Sequence, residues 1–319
     1  MGRSFFCALA LLSSLVVIGS EALAATFPEK PITVIVNFSP GAGIDVDARG
    51  IVPYVQKHLG TRVTIENVAG ADGKIGLTRV WRAKPDGYTV IIHTTTLTLI
   101  GERIADTEYR FSDFTHIFSW CQTNQVLVVN SEKWKNLDEF LAAARERPVS
   151  AGVPGRGTAA HLSGLIFVNA VGIKVNWVPF DGSGEALTAL AGNHIDFASV
   201  ASTSPLSLVR AGKLRPLVVF ANKPDVVFPD TPLSKDLGYK FATVPGIRGI
   251  DGPPRMDPAA VKAIEAAFAK AVKEPDYLNW AKKRMVDVIS LGQEEYSKAI
   301  EGQIVEIERY KSFFKAATK

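Results

Sequence analysis

The stretch from Ile32 to Leu59 constrains the fold more than any other. It opens with an apolar run, Ile32 to Phe38, interrupted only by Thr33 and Asn37. It then passes through Ser39-Pro40-Gly41-Ala42-Gly43-Ile44 and continues to Leu59 with an amphipathic pattern. An apolar run of this kind suits a parallel strand covered on both faces. Ala48, Ile51, Val52, Val55 and Leu59 recur at helical spacing, so a helix is expected from about Val46, with Asp45 as its N-cap. Strand, glycine turn and helix together form the repeating unit of an α/β protein.

Gly41 and Gly43 permit positive φ and leave the backbone bare, so N–H groups at the helix start can approach a ligand closely. A helix N-terminus carries unpaired donors and a partial positive charge, which suits an anion. On this reading the loop Phe38, Ser39, Pro40, Gly41, Ala42, Gly43, Ile44, Asp45 is half of a carboxylate-binding cleft. A glycine turn is also what any strand-to-helix joint needs, and the loop alone leaves both readings open. A dinucleotide site fits poorly, because the fingerprint asks for glycine at position 46, which is Val.

The unit recurs along the chain. A strand over 62–68 leads into Gly70-Ala71-Asp72-Gly73 and a helix, and Tyr88 to His93 is a strand ending in Thr94, Thr95 and Thr96. The carboxyl end of a strand is where open α/β sheets hold ligands, although threonine-rich strand ends are common without one. A strand at 126–130 and a helix at 137–145 follow, then a strand at 148–153, the turn Gly155-Arg156-Gly157-Thr158 and a helix over 159–171 that Thr158 can cap. A strand at 175–179 runs into the loop Asp181-Gly182-Ser183-Gly184 and a helix. The strand at 195–200 ends in Ser202-Thr203-Ser204, and another strand spans 214–221. Three glycine loops of one kind are harder to dismiss than one. Residues 224–254 form a passage rich in proline and glycine. Asp257-Pro258 then starts a helix, a second helix is expected at 277–285, a strand at 286–291 and a long helix from Gln293 to about Lys315.

The first 24 residues have the features of a cleavable secretory signal: Arg3, an apolar run from Phe5 to Ile18 too short to span a bilayer comfortably, and Ala22-Leu23-Ala24. Export to the periplasm is therefore expected. Of the 2 cysteines, only Cys121 survives cleavage, which excludes an internal disulfide in an oxidising compartment. The net charge of +4 is small and spread out, with no basic stripe, so no nucleic-acid partner is expected.

Catalytic signatures are missing. No G-x-S-x-G elbow occurs, the histidines at 58, 93, 116, 161 and 194 lack zinc-ligand spacing, and neither cysteine belongs to a C-x-x-C pair. No catalytic residue, metal or cofactor is therefore assigned. His116 lies near Cys121, a pairing more often structural than chemical. Asp45 and Asp47 diverge on a helix and do not form an acid/base pair, and His161 is expected to pack in the first turn of its helix.

An ordered set of short motifs resembles the extracytoplasmic solute receptors of tripartite tricarboxylate transporters, the Bug family. The set is Phe27-Pro-Glu-Lys-Pro-Ile32, Asn37-Phe-Ser-Pro-Gly-Ala-Gly-Ile-Asp45, Glu66-Asn-Val-Ala-Gly-Ala-Asp-Gly73, Lys84-Pro-Asp-Gly-Tyr88, Pro154-Gly-Arg-Gly-Thr158 with His161-Leu162, Val178-Pro-Phe-Asp-Gly182 and Ala211-Gly-Lys-Leu214. The resemblance implies an α/β fold of the type II periplasmic binding protein kind. Two lobes enclose a ligand cleft and are joined by crossover strands near Val126–Asn130 and Leu217–Asn222. The implied lobes are 25–126 with 222–319, and 127–221. It implies capture of a small carboxylate, dicarboxylic, tricarboxylic or aromatic, by a monomer that works with membrane permease subunits. The site it implies comprises Ser39 through Asp45 and Gly155, Arg156, Gly157 and Thr158, with Asp181 and Gly182 at the far end of the ligand. Thr94, Thr95 and Ser202 join from the strand ends.

The chain departs from the family pattern at several positions. Ile44 replaces a usual threonine, and Asn37 and Ser39 alter the proline-rich start of the first loop. Arg156 stands between two glycines, where it can point inward to a second carboxylate or outward into solvent. Asp181 occupies a frequent Lys or Arg position, where it can favour a ligand hydroxyl or amine or simply cap the next helix. Two rival functions keep the same fold class: a ligand-sensing co-receptor for a membrane signalling kinase, and a secreted α/β enzyme.

Overall fold

The structure, a computed structural model, describes residues 27–239 and 243–315. The expected signal segment lies outside the described residues. Among those described, no helix is long and apolar enough to cross a membrane.

Among the described residues, eleven strands form two sheets. The first is built from β1 (Ile32–Val36), β2 (Val63–Asn67), β3 (Thr89–Thr94), β4 (Thr115–Thr123), β10 (Gly246–Gly252) and β11 (Asp287–Leu291), in the order β11-β4-β10-β3-β1-β2. The second is built from β5 (Gln125–Asn130), β6 (Val149–Val153), β7 (Val175–Pro179), β8 (Phe197–Ala201) and β9 (Leu214–Phe220), in the order β7-β6-β8-β5-β9. The plan is repeated. In each sheet three parallel strands take the order second, first, third, and an antiparallel strand then lies against the third. In both, the point where strand order reverses lies beside the first strand, β1 in one sheet and β6 in the other. Ligands of open α/β sheets bind at such points.

Helices α1 (Gly43–Leu59), α8 (Pro258–Ala271) and α9 (Pro275–Lys283) cover one face of the first sheet, with Ile51, Val55, Ile264 and Phe268 among the buried contacts. The other face carries α2 (Lys74–Trp81), α3 (Thr95–Ile104) and α10 (Gln293–Lys315). In the second sheet, α4 (Leu137–Glu146) and α5 (Ala159–Val171) cover one face, and α6 (Ser183–Ala191) and α7 (Leu206–Arg210) the other. α5 is apolar all round because it is covered twice. Phe167, Val168 and Val171 face its own sheet, while Leu162, Leu165 and Ile166 share a core with Ile300, Ile307, Tyr310 and Phe314 of α10.

Several expectations need adjusting. α1 starts at Gly43 with Ala42 as N-cap, so Asp45 sits in the third helical position and is not the cap. Thr95 and Thr96 are not a free strand end; they begin α3. Two inner strands of the first sheet, β4 and β10, have no counterpart in the sequence reading. β10 holds three glycines in seven residues, and at Gly249 a Cβ would fall 1.7 Å from the Tyr296 hydroxyl oxygen. Glycine marks close approach there and not a loop. By contrast, Asp257 caps α8, accepting from the amides of Ala259 at 2.7 Å and Ala260 at 3.3 Å.

The first sheet is braced by a buried polar cluster. Asp251 of β10 accepts from His93 Nε2 of β3 at 2.6 Å, from His116 Nδ1 of β4 at 2.6 Å and from the Tyr296 hydroxyl at 3.0 Å. Burial works to raise the Asp251 pKa, but the two histidines outweigh it and hold the carboxyl below its usual range. His116 is thus committed to Asp251 and not to Cys121.

Candidate functional site

β4 runs through Asn124 directly into β5, so Asn124 is the point where the chain passes from one sheet to the other. A cavity of about 270 Å³ opens beside it. Its walls come from the first turns of α1 (Gly43, Val46, Asp47), the end of β4 (Cys121, Gln122, Thr123), Asn124, the end of β8 (Ser202, Thr203), the return passage (Asp225, Val226), Arg248 of β10, and the α9–β11 turn (Arg284 to Asp287). Both sheets contribute to it.

Three polar groups shape this hollow. Asp47 and Arg248 pair across it, with Nε 3.1 Å from Oδ2 and both side chains largely buried. Arg248 Nη1 also donates to the Thr94 hydroxyl at 3.3 Å and the Gly246 carbonyl at 3.4 Å, whereas Nη2 has no acceptor among the described residues. Asp225 ties the crossings together. Its Oδ2 accepts from Asn124 Nδ2 at 3.0 Å and the Ser202 hydroxyl at 3.1 Å, and its Oδ1 from the amides of Val227 at 2.9 Å and Phe228 at 3.0 Å. Asp287 accepts from Gln122 Nε2 at 2.7 Å. Burial raises the Asp287 pKa and the nearby Asp225 charge adds to the rise, against the opposing effects of Gln122, Lys223 and Asn124. Cys121 is sealed beneath the wall, and burial with the Asp47 charge keeps its thiol protonated.

The expected first loop is braced from within. Buried Asp45 accepts the Gly41 amide at 2.8 Å, Arg49 Nε at 3.0 Å and Asn67 Nδ2 at 2.8 Å, and Asn67 also holds the Phe38 carbonyl at 2.9 Å. Burial pushes the Asp45 pKa up, but these donors prevail and keep it below the usual carboxylate range. Asp45 and Asp47 do diverge, one into the loop and one into the cavity. The amides of Gly43, Ile44 and Asp45 have no acceptor among the described residues, and Gly43 lines the hollow.

The second glycine loop sits elsewhere. The Gly155 amide donates to the Val153 carbonyl at 2.9 Å, the Gly157 amide to His161 Nδ1 at 3.3 Å, and Thr158 caps α5 through the His161 amide at 3.2 Å. His161 is buried, and burial with the Arg156 charge pushes its pKa down to about 4, so the ring is a neutral acceptor. Gly157 lies against Ile100 of α3, where a Cβ would come within 2.9 Å of Ile100 Cγ2.

Of the expected site residues, Gly43 and Ser202 line the cavity and Thr94 touches it through Arg248. Gly41 and the 155–158 turn lie outside its lining. Thr95 is sealed away from it, its hydroxyl 2.8 Å from that of Tyr296. Arg156 resolves outward: it is exposed and borders a separate hollow with Trp177 and Phe313. Asp181 is also exposed and does not cap α6, whose N-cap is Gly182; its own amide donates to Glu185 at 3.3 Å. Asp225, Arg248 and Asp287 were not visible as site residues. The signal that finds Arg248 is β10 itself, once Pro-Gly-Ile-Arg-Gly-Ile-Asp-Gly is read as a central strand. No group of three or more His, Cys, Asp or Glu among the described residues is placed to hold a metal ion.

Comparison with known proteins places this geometry in a family. A model described as "Tripartite tricarboxylate transporter family receptor" matches residues 47–316. Protein BugT of Bordetella pertussis is 30% identical over 269 residues, covering 81% of this chain and 82% of that protein. Among solved structures, a TctC solute-binding protein from Polaromonas is 27% identical with a TM-score of 0.79, covering 89% of this chain and 100% of that one. MatC from Rhodopseudomonas palustris with bound malate is 25% identical with a TM-score of 0.71, again covering 89% of this chain and 100% of that one.

Proposed function

The chain belongs to the tripartite tricarboxylate transporter receptor family, and from that premise we propose that it is a periplasmic receptor that captures one small carboxylate between its lobes and presents it to membrane permease subunits. The carrying observation is the polar cavity that both sheets wall at the point where the chain crosses between them. Arg248 Nη2 and the open amide of Gly43 are the donors that meet the carboxylate. Charge-assisted hydrogen bonds from fixed donors need little reorganisation when the ligand arrives. The volume of about 270 Å³ sits at the lower edge of small-molecule pockets, which run from roughly 300 to 1,000 Å³, and suits a compact ligand. The malate bound to MatC supports the carboxylate class.

The work of such a site is capture. Binding pulls the lobes, about 25–126 with 222–319 and 127–221, together around Asn124 and the return passage, and the closed form differs in surface from the open one. Ser39 to Ala42 and Gly182, expected in the site but outside the cavity lining, belong to the rims that approach on closure, whereas the 155–158 turn already packs against α3 through Gly157. The protein acts as a monomer, without metal or cofactor.

Thermal-shift and calorimetric titration of the purified protein against malate and a panel of di-, tri- and aromatic carboxylates tests this reading. Stabilisation by at least one carboxylate, lost in Arg248→Ala, is the expected result. If no carboxylate in the panel raises Tm, the reading fails.

A further inference from the structure

The cavity carries charge of both signs, and the two signs stand on different strands. Arg248 of β10 is in register with Cys121 of β4, and Asp287 of β11 with Gln122 of the same strand, so the two charged residues flank β4 on opposite sides. Two inter-strand spacings put their backbones roughly 10 Å apart. The Arg248 side of the hollow also holds the start of α1, with the open Gly43 amide. The Asp287 side holds Asp225, whose oxygens take four neutral donors.

The formal charges lining the hollow are three carboxylates (Asp47, Asp225, Asp287) and two guanidiniums (Arg248, Arg284). Asp47 is paired with Arg248, and Arg284 is exposed with its guanidinium 5.7 Å from the Trp280 ring. Neither Asp225 nor Asp287 forms a salt bridge among the described residues, and Lys223 acts on Asp287 only from a distance. A ligand bearing a second carboxylate would bring it against this acidic wall, where like charges in a semi-enclosed site repel strongly.

We infer that the ligand is a zwitterion, a small carboxylate that also carries an ammonium group, with its carboxylate on Arg248 and the first turn of α1 and its ammonium on Asp287. This rests on the receptor reading above and narrows it. Asp287 is then the residue that sets ligand selectivity. The ammonium supplies the one positive charge that the wall lacks, and its charge favours the ionised form of a carboxyl that burial otherwise pushes toward protonation. Asp225 adds its field while staying committed to the crossing.

The test uses matched pairs that differ only by the amino group: aspartate and succinate, glutamate and glutarate, γ-aminobutyrate and butyrate. Each is titrated calorimetrically into the purified full-length protein at neutral pH. The expected result is at least one pair whose amino member binds about tenfold or more tighter, the scale of one charge-assisted hydrogen bond to a partly buried group. Asp287→Asn is expected to bring that pair to near equality while the des-amino member keeps its affinity. If the des-amino compound binds equally or better in every pair, the zwitterion inference falls and the carboxylate receptor stands. If neither member of any pair binds and the wider carboxylate panel is silent too, both fall. A tenfold preference that survives Asp287→Asn overturns the assignment to Asp287. The wild-type ratios decide the ligand class even if the variant fails to fold, and far-UV circular dichroism reports whether it has.

Discussion

The seam between the two sheets has two unlike halves. On the cavity side it is polar: Asp47 with Arg248, Asn124 and Ser202 with Asp225, Gln122 with Asp287. On the other side it is apolar, with α5 pressing Leu162, Leu165 and Ile166 into the core that α10 and α3 share. Hydrophobic burial is non-directional and scales with area, so the apolar half holds the sheets together whatever occupies the cavity. Directional charge pairs respond to a ligand because each donor or acceptor can exchange partners. The difference teaches that the two halves answer to different things: the α5–α10 contact to buried area, the polar half to the partners its charged and amide groups find.

The sharpest way to break that division is to cut each half separately. Leu162→Ala on the apolar side leaves a cavity in a shared core, at a cost of roughly 2–5 kcal/mol. Denaturant melts should show that loss, with ligand affinity changed little. If Leu162→Ala instead weakens binding and spares stability, the two halves have been assigned the wrong way round. Arg248→Ala should weaken binding by about 1.5–3 kcal/mol, the scale of a lost charge-assisted hydrogen bond to the carboxylate. It should also lower stability with or without ligand, because Asp47 is left largely buried and unpaired in both states. Calorimetry with whichever carboxylate binds the wild type measures the first effect.

Proton uptake probes the same contrast. His161 sits between Trp177, at a ring-centroid distance of 5.0 Å, and Phe314, at 5.6 Å, on the apolar side. Its folded pKa is depressed to about 4, below the ordinary value of 6.5. The unfolded chain therefore binds the proton first, and stability that is full above about pH 6.5 declines as pH falls toward 4. A shift of that size corresponds to a loss of up to about 3 kcal/mol. His161→Gln should flatten the dependence in that window. A stability curve unchanged by the substitution would show that His161 titrates as an ordinary surface group.

Local rules carried the sequence reading far. Ile32 to Leu59 announces strand, turn and helix because apolar spacing and glycine placement agree, and Asp257-Pro258 announces a capped helix start for the same reason. Family motifs then supplied two lobes and a crossover. What stayed hidden depends on partners distant in the chain. β10 looks like a loop because its glycines make room for Tyr296 of α10 and for Met256 of the passage that follows the strand. Arg248 gains its role only when β10 lies beside β3 and β4. Gly41 and Gly157 look alike in sequence, and both have amides already taken, by Asp45 and His161. Asp225 sits in a proline-rich passage where no periodicity marks it, and its partners Asn124 and Ser202 lie 101 and 23 residues away.

Those two glycines offer the finest comparison. Both have positive φ, +82° at Gly41 and +73° at Gly157, so replacing either with alanine forces an L-residue into the left-handed region at a cost of roughly 1–2 kcal/mol. Their surroundings differ. A Cβ at Gly41 meets nothing within 4 Å, whereas one at Gly157 comes within 2.9 Å of Ile100 Cγ2 across the seam. Gly157→Ala should therefore lower Tm somewhat more than Gly41→Ala, by the amount Ile100 must yield. Pairing Gly157→Ala with Ile100→Val, which removes only the terminal methyl of the longer branch and leaves Cγ2 in place, should leave that excess intact. Ile100→Ala removes Cγ2 and should abolish the excess, whatever the substitution costs by itself. Equal Tm losses for the two glycine variants would mean that the 155–158 turn does not bear on α3, and the apolar half of the seam would then end at α10.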